Sequence, residues 1–152
     1  MNSKISTDAK GRGFTLIELL VVIAIIGLLS TLAVVALGSA REKARDSKRL
    51  SDLKQVQTAL ELYYTDNNSY PAASGALGAG SLACLNTSGF AATGCSDPYM
   101  GMVPSDPLSS QSYTYGATGT SPTTYTITGT LEGEMGGLSA GAITVTPAGI
   151  SN

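Results

Sequence analysis

From Leu19 to Ala40 the chain carries no charged residue over a run of 22, with Ser30 and Thr31 the only polar side chains before Ser39. At the α-helical rise this run spans about 33 Å, enough for the hydrocarbon core of a bilayer. Beyond it the pattern changes. Leu50, Leu53, Val56, Leu60 and Tyr63 recur at intervals of three and four, while Lys54, Gln57 and Glu61 fall on the opposite side. That is one apolar face on a helix. No Pro precedes Pro71 and no Gly lies between Gly38 and Gly75, so one helix is predicted from Phe14 to Thr65, apolar all round at first and on one side later. Glu42 with Arg45 and Lys48 with Asp52 stand at helical spacing, which predicts an exposed Arg41–Asp52 stretch. Within it, the charge cluster Arg41–Arg49 is either a solvated collar at the headgroup boundary or a set of pairs between subunits. Asp66, Asn67, Asn68, Ser69 and Pro71 end the helix.

The remainder is rich in Gly, Ser, Thr and Ala. Residues 72–111 read as loop. After them apolar positions alternate in the strand period: Tyr113 and Tyr115, Tyr125 and Ile127, Ile143 and Val145. Thr124, Thr126 and Thr128 face the other way, and Gly129 is expected to bulge its strand. The fold class is α+β: a long N-terminal helix, its second half packed against a small antiparallel sheet of about three strands.

Composition narrows the chemistry. The 152 residues include no His, and a net charge of −2 does not point to a nucleic-acid polyanion as partner. Losing His removes the commonest general base and metal ligand. With no His to activate a serine nucleophile of the GxSxG type and no metal-ligand constellation, an enzyme is not expected and neither is a cofactor. Cys84 and Cys95, the two thiols, are too few for a structural zinc site and too far apart for a CxxC redox pair.

The N-terminal segment admits three readings. Gly38-Ser39-Ala40 offers a signal-peptidase site, but the apolar run exceeds the 7–15 residues typical of a cleaved signal. A plain signal anchor is the second. The third must account for Glu18, an acid at the mouth of the run. It is either a headgroup-level charge or a carboxylate with an assigned partner.

The residues GRG-FTLIELLVVIAIIGLL, about 25 with their flanks, resemble the N-terminal signature of type IV prepilins and pseudopilins. The resemblance implies cleavage by a prepilin peptidase between Gly13 and Phe14, N-methylation of Phe14, and assembly through Glu18. The Glu18 carboxylate would neutralise the Phe14 amine of a neighbouring subunit, a pairing strengthened in low dielectric and partly offset by desolvation. It implies residues 1–13 as leader, 14–40 as transmembrane and assembly helix, 41–70 as amphipathic helix, and 71–152 as an extracytoplasmic head. The implied function is a structural subunit of a type IV pilus or similar filament, with a pseudopilin of a type II secretion or DNA-uptake machine as the alternative. A monomeric membrane-anchored binding protein is the reading from another class. The implied partners are copies of itself in a helical filament, the peptidase, an assembly platform, and membrane lipid before assembly. Its place would be the inner membrane, head outside the cytosol, then an extracellular or periplasmic filament.

Two features depart from the pattern. Val35 stands where many pilins have a helix-breaking Pro. Five basic residues (Arg41, Lys43, Arg45, Lys48, Arg49) follow the span against three before it, opposite to a strict positive-inside count; the resemblance is preferred over the count. ELYYTDNNSYP, residues 61–71, also resembles the helix end of G-type pseudopilins, which use an acidic calcium loop in the final third. Asp97, Asp106, Glu132 and Glu134 are candidates by type only. They lack EF-hand spacing, and solvated acids are the preferred reading. In an extracytoplasmic head Cys84 and Cys95 are expected to form a disulfide.

Overall fold

The computed structural model describes residues 13–152, so all of the leader but Gly13 lies outside the described residues. One helix, α1 (Leu16–Asn67), precedes seven strands: β1 (Ala73–Ala76), β2 (Cys84–Asn86), β3 (Gly89–Ala91), β4 (Thr114–Ala117), β5 (Thr126–Leu131), β6 (Gly141–Thr146) and β7 (Gly149–Ser151). The chain divides into two compact units, Met1–Ser39 and Ala40–Asn152.

In the first unit the helix is apolar all round, and its large side chains from Phe14 to Leu37 are exposed. This stretch makes α1 long and apolar enough to cross a membrane.

In the second unit, Leu53, Val56, Leu60 and Tyr63 are buried against the sheet and Leu50 is half-buried, as the periodicity predicts. Gln57 and Glu61 are drawn in as well. Gln57 donates from Nε2 to the Thr146 carbonyl at 3.1 Å, and Glu61 accepts from the Tyr70 hydroxyl at 2.9 Å. The helix ends at Asn67, with Asn68 in the left-handed conformation (φ 52°), a role Asn fills readily.

The sheet has five antiparallel strands in the order β1-β4-β5-β6-β7. The three predicted strands are β4, β5 and β6; β1 and β7 extend the sheet on either side. In β5, Ile127 and Leu131 are buried while Thr126, Thr128 and Thr130 face out. The expected bulge at Gly129 is absent, since Gly129 pairs in register with Ile143. Its glycine serves packing instead: a Cβ there would lie 3.3 Å from Tyr113 Cδ1.

Residues 72–111 hold more than loop. They supply β1, the 3-10 turn Gly80–Leu82 and the β2–β3 hairpin. The Cys84–Cys95 disulfide is formed and ties the hairpin to the following turn. Tyr70 packs between Tyr64 and Tyr125, each at 4.7 Å between ring centroids, closing the core at the helix end.

Candidate functional site

Two constellations carry chemistry, one in each unit. At the start of the first, Gly13, Phe14 and Thr15 precede the helix and are exposed. Thr15 and Glu18 form a capping box. The Thr15 amide and hydroxyl donate to Glu18 Oε2 at 2.8 and 2.7 Å, and the Glu18 amide donates to Thr15 Oγ1 at 3.3 Å. The T-x-x-E spacing produces this reciprocal cap, which satisfies amides that the first helical turn leaves free. The carboxylate is thereby aimed at the end of the helix, next to the backbone of Phe14. Phe14, Ile17, Glu18, Val21 and Val22 bound an open cleft of about 360 Å³.

The second constellation centres on Arg49, fully buried on the amphipathic part of α1. Its Nε and Nη2 donate to Asp106 Oδ2 and Oδ1 at 2.8 and 2.9 Å, and Nη1 reaches Asp46 Oδ1 at 2.7 Å and Glu132 Oε1 at 2.6 Å. Arg45 makes a second bidentate pair with Glu132. Asp46 in turn accepts the amides of Glu132 and Gly133. One helical turn is thus fastened to the loop before β4 and to the end of β5. Arg45, followed by Arg49, holds the Glu132 carboxyl down to about 2 through hydrogen bonds, against partial desolvation. Asp106, above all, keeps the Arg49 guanidinium charged despite burial.

This arrangement overturns the expected solvated collar. Asp46, Arg49 and Asp52 are buried. Lys48 and Asp52 do pair, at 2.8 Å, but Arg45 turns to Glu132 rather than to Glu42. Nor are the candidate acids a solvated set. Asp106 and Glu132 are bound to guanidinium groups, whereas Asp97 and Glu134 are exposed and separate. No three Asp, Glu, His or Cys among the described residues are placed to hold a metal. The residues here do not fit a calcium loop, because the two acids that converge are already neutralised by arginine.

Comparisons with known proteins bear on both units. A prokaryotic N-terminal methylation motif matches residues 8–38, and the type II secretion system (T2SS) protein G family matches residues 36–144. The type II secretion system core protein G of Pectobacterium carotovorum subsp. carotovorum is 44% identical over 70 residues, 46% of this chain and 45% of that protein. Its counterpart in Escherichia coli K12 is 48% identical over 66 residues, 43% and 45% of the two chains. The type IV wide pilus major component PilA4 of Thermus thermophilus is 44% identical over 66 residues, 43% and 50%. The matched stretch covers half or less of each of these relatives. No solved structure matches significantly. With a methylation motif over the apolar helix and a family match running from residue 36 through the rest of α1 and most of the sheet, the chain belongs to the type II secretion system protein G family, a family of structural, pilin-like subunits.

Proposed function

We propose that this chain is a pseudopilin: an inner-membrane precursor, trimmed between Gly13 and Phe14 and polymerised into a pilus-like filament that serves protein secretion. The observation that carries this reading is the protein G match over residues 36–144. The N-terminal motif is shared by pilins and pseudopilins alike, whereas this match extends through the head.

Glu18 is the assembly residue in this reading. Its carboxylate faces the helix end where the Phe14 amine is freed by cleavage, and capping by Thr15 gives it a partner before assembly. In the filament the N-methylated amine of a neighbouring copy becomes the charge it meets. The exposed apolar helix is covered first by lipid, then by sister helices. The implied partners are a prepilin peptidase, copies of the chain and an assembly platform. The disulfide fits a head outside the cytosol.

A pilus subunit is the second reading, favoured by the 44% identity to a wide-pilus component. Deleting the gene in the source cell, and shearing wild-type cells in parallel, separates the two. A pseudopilin predicts loss of protein export and no long external fibres at native expression. Long sheared fibres built of this chain, with export intact, would establish the pilus instead.

A further inference from the structure

Leu50 and Lys54 stand four residues apart on α1, and Leu62 and Asp66 repeat that spacing twelve residues later. Four-residue spacing sets the members of each pair side by side on the helix surface, and twelve residues separate the pairs by about 18 Å along the axis. The two pairs are opposite in shape and in charge. The first borders a cleft of about 330 Å³ walled by Leu50, Leu138 and Ile150, with Lys54 at its rim. All three apolar walls are only partly buried. Gly136 keeps the cleft open, since a Cβ there would lie 3.3 Å from Leu50 Cδ1 and its φ of +61° disfavours other residues.

The second pair protrudes. Leu62 is 51% exposed, and in the described residues of the head only Met102 is another large apolar side chain so uncovered. Asp66 is exposed and accepts one bond, from the Tyr99 hydroxyl at 2.6 Å, which leaves acceptor capacity on the carboxylate. Among the described residues Lys54 has no ion-pair partner.

We propose that Leu62 and Asp66 of one copy dock into the Leu50–Lys54 cleft of a second copy, with Leu62 between Leu138 and Ile150 and Asp66 against Lys54. Knob and cleft are different surfaces, so the contact is heterologous, and a heterologous contact that does not close into a ring propagates as a filament. A rim ion pair of this kind adds little affinity but fixes register and rejects wrong alignments. The inference rests on the filament reading above and adds a head-to-head contact to it.

Charge reversal in the full-length chain, over-expressed in the source cell so that filaments outgrow the envelope and can be counted, with subunit levels checked, tests the proposal. Lys54→Glu and Asp66→Lys should each reduce filament number several-fold, and the double variant should recover it. Recovery is the discriminating result, because damage to folding alone would add in the double variant. Single reversals without effect, or a double variant no better than either, would overturn the contact while leaving the filament reading in place. Absence of filaments even in cells over-expressing the wild type would remove both. If Asp66→Lys does not accumulate, a chain carrying Leu62→Cys and Leu138→Cys decides. Oxidised filaments should then give a ladder of multimers on non-reducing gels, and monomer alone overturns the contact.

Discussion

Arg49 and Asp106, 57 residues apart in sequence, meet through two parallel hydrogen bonds of 2.8 and 2.9 Å, with both side chains buried. The pair joins α1 to the loop that leads into β4. Asp46 and Glu132 complete a surround in which every charge has a counter-charge. Removing one member of such a set leaves the rest buried and uncompensated, which costs more than the set contributes relative to an apolar replacement. Arg49→Met should therefore lower the unfolding free energy of the head by about 3–5 kcal/mol. Arg49→Lys should also destabilise, because a point charge cannot bridge Asp106 bidentately. Denaturant unfolding of the full chain in detergent, followed by tyrosine fluorescence, measures both.

The same cluster makes the head acid-sensitive. Glu132 binds its proton less readily in the folded chain, about 2, than at its ordinary value of 4.5. Its contribution is complete above that ordinary value and is lost as pH falls through the folded one. Melting temperature should decline between about pH 4.5 and pH 2, and Glu132→Gln should flatten the decline over that window while starting from lower stability.

Gly129→Ala places a methyl group 3.3 Å from the Tyr113 ring in the middle of β5. Tyr113 is fully buried, so its ring can give way only by displacing packed neighbours. Overpacking of this kind costs about 1–3 kcal/mol, read as a lower melting temperature; an unchanged or higher value would mean that the ring yields freely.

Reduction of the Cys84–Cys95 bridge, with a sequence separation of 11, should cost about 2–3 kcal/mol in the loop-entropy account. Cys84→Ala with Cys95→Ala should match the reduced wild type in denaturant titration, and alkylation of native protein without reductant should find no free thiol.

For Glu18, assembly and folding should separate. Glu18→Ala removes the cap that Thr15 shares, a contact within the first compact unit. Head unfolding should stay at the wild-type midpoint while filament number, counted in over-expressing cells, falls steeply. Leu at this position should fail likewise despite its better transfer into lipid. Wild-type filament counts in Glu18→Ala cells would reduce the residue to a helix cap.

Local pattern was a sound guide where the causes are local. The uncharged run from Leu19 to Ala40, the apolar face through Leu53, Val56, Leu60 and Tyr63, and the alternation that became β4, β5 and β6 all depend on neighbours within a few residues. The T-x-x-E spacing behind the Thr15–Glu18 cap is equally local, but the cap itself was recognised only in the structure. Strands β1, β2, β3 and β7 were not legible. Each is short and lacks the alternating aromatic and branched positions that marked β4, β5 and β6, and each forms because a neighbouring strand offers it hydrogen bonds.

By itself, then, the sequence determined a membrane-length apolar helix, an amphipathic continuation of it, the strands behind that continuation and the residues of a processing motif, because periodicity and transfer energy act along the chain. Only the tertiary structure decided the fate of the charges. Arg45, Asp46, Arg49 and Asp52 have the look of a solvated collar when read beside their helical neighbours. Arg49 is buried because Asp106 and Glu132, 57 and 83 residues away, fold over it. Whether a charge is solvated or buried depends on what closes above it, and no spacing along a single helix contains that partner.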